Sequence, residues 1–145
     1  MTGAVDVVVA IFVVGVLGAV AFIDLRRQIV PNRIVVPAAV LVLSARTATH
    51  PSVVWIAAGS GAALFLLVPA VLRPGAMGMG DVKLALLLGV AVGRWVPLAL
   101  FVALATAAFS GTVLVVRNGL RARTTAVPFA PFLALGGVVA LVVEI

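Results

Sequence analysis

The chain contains no cysteine and no tyrosine, and only four of its 145 residues are acidic. Without cysteine there is no disulfide framework, no thiolate metal site and no cysteine nucleophile. The single histidine, His50, rules out zinc-protease patterns such as H-E-x-x-H, so no metal is expected. Charged residues of both signs amount to 10%, against about 25% in ordinary soluble domains. Hydrophobic residues make up 65% and the mean hydropathy is +1.38, which excludes a soluble globular protein. A net charge of +6 would suit a nucleic-acid partner, but the basic residues cluster at the ends of apolar runs. That placement belongs to membrane topology, and no nucleic acid is expected.

Several apolar runs approach the ~20 residues that cross a hydrocarbon core. The fold class predicted is all-α: one polytopic membrane domain over residues 1–145, with six transmembrane helices in contact with lipid. The segments run from about Val5 to Ile23, Pro31-Asn32 to Ala45, Val53 to Leu72, Asp81 to Gly93, Val96 to Val116, and Val127 to the C-terminus. Three connections between them hold Arg26, Arg27, Arg33, Arg73, Lys83, Arg117, Arg121 and Arg123, whereas the opposite side holds only Arg46 and Arg94. Eight basic residues against two puts the three basic loops in the cytoplasm and both termini outside.

That orientation sorts the four acids. Asp24 and Asp81 fall on the cytoplasmic side, while Asp6 and Glu144 read as solvated boundary charges near the outer termini. His50 reads as a solvated loop residue. The fourth segment is short, ~20 Å at 1.5 Å per residue against a ~30 Å core, so Asp81 should be recessed in a water-accessible cleft. Gly78 and Gly80, just before it, would leave bare non-helical backbone beside the cleft, free for close approach by another chain. Two carboxylates a few ångströms apart share a proton. One can then act as general base on water while the other protonates a carbonyl oxygen, which is aspartic-protease chemistry needing no cofactor. Nothing else competes. Ala58-Gly59-Ser60-Gly61 lacks a histidine partner and reads as small residues for helix packing. No serine lies on the cytoplasmic side to form a dyad with Lys83.

Three stretches resemble the type IV prepilin peptidases, membrane aspartic proteases with a G-x-G-D signature. They are Asp24-Leu25-Arg26-Arg27-Gln28-Ile29-Val30-Pro31-Asn32, then Gly78-Met79-Gly80-Asp81-Val82-Lys83-Leu84, then Val127-Pro128-Phe129-Ala130-Pro131-Phe132-Leu133-Ala134-Leu135-Gly136. Valine replaces isoleucine before Pro31, and Ala130 stands where glycine is common. The resemblance implies that Asp24 and Asp81 are the catalytic pair. It further implies a multi-pass protein of the bacterial inner membrane that removes the short basic leader of prepilin-like proteins at the cytoplasmic face. The lack of paired cysteines and of an N-terminal cytoplasmic region points to the small peptidase-only type associated with tight-adherence pili.

Other residues keep two readings each. Asn32 caps the second helix or hydrogen-bonds the site. Lys83 snorkels and sets topology, or tunes Asp81. Pro128 and Pro131 permit a widened first turn of the sixth helix, or shape a groove for an extended peptide. Two rivals remain. A presenilin-type protease would need a Tyr-Asp motif and a Pro-Ala-Leu segment, both missing. A small proton-coupled transporter or assembly subunit would need its carboxylates near mid-membrane with access from both sides.

Overall fold

A computed structural model describes residues 3–27, 32–72, 79–119 and 129–144, and these are helical apart from short turns. The α-helices are α1 (Ala4–Arg27), α2 (Asn32–Thr49), α3 (Val54–Leu72), α4 (Met79–Val92), α5 (Val96–Asn118) and α6 (Ala130–Glu144). A single 3₁₀ turn, Gly93–Trp95, joins α4 to α5. Three helical stretches are long and apolar enough to cross a membrane: Ala4–Arg27, Val54–Leu72 and the continuous Met79–Arg117; Ala130–Glu144 is a shorter apolar helix. Phe101, Phe109, Ile11 and Val116 stand more than two-thirds exposed on the outer surface. Apolar side chains facing outward mark a multi-pass membrane protein.

Several boundaries differ from the sequence reading, for local reasons. α1 continues through Asp24 to Arg27, because two arginines in a last turn complement the helix dipole. α2 continues past Ala45 to Thr49: the hydroxyls of Ser44, Thr47 and Thr49 bond back to the carbonyls of Val40, Leu43 and Ala45 and need no solvent. α4 starts at Met79, so Gly80 is helical and not the bare non-helical backbone expected. α4 stops because Gly93 adopts φ 57°, a left-handed conformation natural to glycine after a helix end.

The core is built around α4, which touches every other α-helix. Leu84, Ala85, Leu87, Leu88 and Ala91 are fully buried there. Association in lipid depends on close packing by small residues. Gly89 sets α4 against α3: a Cβ added there would lie 2.5 Å from the Ala58 carbonyl oxygen and 2.6 Å from Gly59 Cα. Gly136 packs in the same way on the Ala99 carbonyl of α5, and Gly137 on Leu17 and Leu88. Gly61, by contrast, faces open space and Ser60 is exposed, so of the small-residue stretch Ala58 and Gly59 pack as expected and the other two do not.

One end of the bundle holds a buried ionic cluster that overturns the reading of Asp6 and Glu144 as solvated boundary charges. Arg46, 3% exposed, sends Nη1 to Asp6 Oδ1 at 2.9 Å. Its Nη2 donates to the Ala91 carbonyl at 2.6 Å and to Glu144 Oε2 at 3.4 Å. The Trp55 ring lies 4.8 Å below the guanidinium carbon. Trp55 Nε1 donates to the His50 carbonyl, and His50 Nε2, on a side chain still 41% exposed, lies 3.5 Å from Asp6 Oδ2. A carboxylate and a guanidinium bonded to each other and to a helix-end carbonyl can leave solvent, whereas separate charges cannot. The start of α1, the ends of α2, α4 and α6, and Trp55 in the first turn of α3 therefore meet at one end. The described chain begins (Gly3) and finishes (Glu144) at that end, so the neighbouring helices alternate in direction.

Candidate active site

That alternation places the other ends together. The end of α1 with Asp24 and the starts of α2, α4 and α6, with Asn32, Asp81 and Ala130, lie at the end opposite Arg46. Asp24 is 5% exposed, and its Oδ2 accepts from the Ala130 backbone N–H at 3.1 Å. The local sequence explains this bond. The first N–H groups of a helix lack intrahelical partners. In α6 the Phe132 and Leu133 amides bond to the Phe129 carbonyl, and Pro131 has no N–H to satisfy. The fully buried Ala130 is left with a donor, and Asp24 supplies the acceptor from another helix. Its carboxylate also stands at the positive end of the α6 dipole.

Asp81 lies in the first turn of α4, half-buried. Measured from the Arg46 cluster, Asp24 is eighteen residues down α1 from Asp6, ~27 Å of helix, and Asp81 ten residues down α4 from Ala91, ~15 Å. These counts leave the two residues at levels ~12 Å apart along the bundle axis. The Cα–Cβ bonds of a helix tilt toward its N-terminus. α1 and α4 run in opposite directions and touch. Each Cα–Cβ bond therefore tilts along the axis toward the level of the other residue.

The remaining candidates fall around this end. Lys83, half-buried, is two residues from Asp81 and so does not share its helix face. Asn32 is exposed at the start of α2. Pro131 is half-buried in the first turn of α6, next to the amide that holds Asp24. Gly80 immediately precedes Asp81 in helical backbone. Gly78 and Pro128 lie outside the described residues. Arg26 and Arg27 are exposed, with the Arg26 guanidinium 4.9 Å over the Phe22 ring. Among the described residues no group of His, Cys, Asp and Glu is arranged to hold a metal ion.

Sequence reasoning missed two features. The Ala130 amide carries no side-chain signature; only the run of Pro131 after it hints that few donors remain in that turn. By sequence Arg46 reads as a topology charge, although an arginine on the sparsely basic side, with two acids also there, is a signal for pairing.

The sequence model of the type IV leader peptidase family matches residues 11–116, which include both aspartates. The chain belongs to this family. Within it, the chain is 33% identical over 135 residues to the prepilin leader peptidase/N-methyltransferase of Bacillus subtilis (strain 168), covering 90% of this chain and 54% of that protein. It is 30% identical over 140 residues to the protein of the same description from Legionella pneumophila, covering 91% and 48%. The chain spans about half the length of these curated relatives. No solved structure matches it. The leader-peptidase family match stops before α6, so the Ala130 contact with Asp24 comes from the fold rather than from the matched stretch.

Proposed function

We propose that the chain is a membrane aspartic endopeptidase that removes the short leader of prepilin-like proteins. In this reading Asp24 and Asp81 act as a pair, one as base and one as acid, at the cytoplasmic face of a bacterial inner membrane. The observation that carries it is the placement of two of only four acids, on antiparallel contacting helices, at one end of the bundle. The Ala130 amide holds one oxygen of Asp24. The concentration of Arg26, Arg27, Arg33, Lys83 and Arg117 toward this end supports its cytoplasmic location.

The chemistry then follows from two carboxyl groups in complementary protonation states. The ionised one takes a proton from water as the water oxygen bonds to the scissile carbonyl carbon, and the protonated one gives its proton to the carbonyl oxygen. The tetrahedral diol collapses as a proton passes to the departing nitrogen. The leader leaves with a new carboxyl terminus, the mature protein keeps a new amino terminus, and the pair regains its single proton. The depth of Asp81 suits a bond lying just before a hydrophobic segment that itself enters the membrane.

The test is purification in detergent, incubation with a prepilin precursor and detection of the shortened product. Leader removal by the wild type and none by Asp81→Asn is the expected result. A folded wild type that leaves type IV precursors intact, or an Asp81→Asn protein that still cuts well, would refute the reading.

A further inference from the structure

Arg46 sits at the far end of the molecule from the proposed chemistry, yet every helix that supplies a group there passes through it. Its guanidinium bonds Asp6 of α1, the helix that carries Asp24. It bonds the Ala91 carbonyl of α4, the helix that carries Asp81, and Glu144 of α6, whose first amide holds Asp24. Arg46 itself belongs to α2, and Trp55 of α3 closes over it. We propose that Arg46 is a positioning residue, a clamp that fixes the axial register of α1, α4 and α6 and so the relative placement of Asp24 and Asp81. The proposal rests on the peptidase reading for its catalytic consequence, but not for its structural one.

Three observations favour this role over simple stabilisation. First, a buried ion pair adds little net stability compared with apolar residues of the same volume, and its best-attested use is to specify registry. Arg46 also leaves its Nε buried with no hydrogen-bond partner among the described residues, which is a poor arrangement for stability alone. Second, α4 is apolar on all sides from Leu84 to Val92, and dispersion contacts between such surfaces discriminate weakly between neighbouring axial positions. The Ala91 carbonyl is a polar mark on that helix, exposed to a donor only because Gly93 ends the helix there. Third, a fork of five N–H donors can bind two helices at once in fixed geometry, which an ammonium cannot.

The experiment uses the whole chain in detergent, with nitroxides on cysteines introduced at the exposed positions Leu25 and Met79, beside the two aspartates. The chain has no cysteine of its own, so the pair is the only label. The distance distribution between the labels and the steady-state cleavage of a prepilin are compared for the wild type, Arg46→Lys, Glu144→Gln and the neutral double variant Asp6→Asn/Arg46→Gln. The double variant keeps a hydrogen-bonding pair and leaves only Glu144, whose side chain still reaches solvent, without its partner, so it folds where Arg46→Ala, with Asp6 buried and unpaired, would not. In folded protein, Arg46→Lys and the double variant should shift or broaden the distance distribution. They should lower kcat by about a hundredfold with KM nearly constant, because a displacement of ~1 Å in a catalytic constellation has about that effect. Glu144→Gln, which loses the longest contact, should do less, and Arg94→Gln, an exposed arginine at the same end, should do nothing. An unchanged distance distribution in the folded variants would overturn the clamp, as would full recovery of both readouts by Arg46→Lys. A wild type with no cleavage would sink the peptidase reading while the distance measurement still decides the clamp.

Discussion

Replacing Asp24 separates the role the structure shows, holding a helix end, from the catalytic role proposed for it. Asn at this position still offers an oxygen to the Ala130 amide. It loses only the charge assistance, so Asp24→Asn should cost ~1 kcal/mol or less. Asp24→Ala leaves the Ala130 N–H fully buried with no acceptor, a cost of ~1–3 kcal/mol. Neither loss approaches the ~5–15 kcal/mol that folded domains possess, so both variants should remain folded. If Asp24 only caps α6, cleavage should track stability, and Asp24→Asn should cut almost normally. If its proton is part of the reaction, both variants should lose about 10²–10⁴ in kcat, equivalent to ~3–5.5 kcal/mol of barrier. Leader cleavage by purified protein, normalised to the folded fraction from thermal unfolding in the same detergent, reads out the difference. Asp24→Asn at more than a tenth of wild-type turnover would refute the catalytic role and leave the cap.

Three further outcomes are expected. Gly89→Ala should destabilise the bundle by ~1–3 kcal/mol, since a methyl would press on the Ala58 carbonyl and Gly59, whereas Gly61→Ala, facing open space, should be neutral or slightly stabilising; unfolding in detergent compares them. Single cysteines at Ala48 and Val53 should label from outside intact cells, and those at Leu25 and Met79 only after permeabilisation; the reverse pattern would invert the orientation. Gly80→Ala, in helical backbone, should leave melting unchanged or raise it by up to ~1 kcal/mol, so a loss of cleavage there would mean that the methyl obstructs substrate, and normal cleavage that the glycine is dispensable.

Much of the fold was legible because apolar runs of this length, bounded by arginines and prolines, have few alternatives to helices in lipid. The place of Asp24 and Asp81 at the same end of the bundle was legible too, since each stands at a connection that the alternation of helices sets on one side. What escaped the sequence was burial of charge. Asp6 and Glu144 stand near the ends of apolar runs, where a lone acid is ordinarily solvated, and only the fold brings Arg46 from α2 between them. The helical state of Gly80 was hidden for a different reason: a glycine pair before an acid favours a turn locally, and the packing of α4 extends the helix back through Gly80. Gly89 and Gly136 escaped because glycine in an apolar run looks the same whether it meets another backbone or lipid.

The central helix explains why so hydrophobic a chain keeps polar contacts at both extremes. A helix buried on every side is favoured equally well at many rotations and depths, because lipid and protein offer it similar apolar surroundings. Close backbone contact at Gly89 limits how α4 rotates against α3, since only that face admits Ala58 and Gly59 at such short range. Depth needs a directional bond. Arg46 provides one at Ala91, and from that point the 1.5 Å rise per residue carries the position of Asp81 with little freedom. On α1 the same guanidinium marks Asp6, and the Ala130 amide marks Asp24 at the opposite extreme. An acid that must be placed to within an ångström, on helices with featureless sides, has to be located from the helix ends.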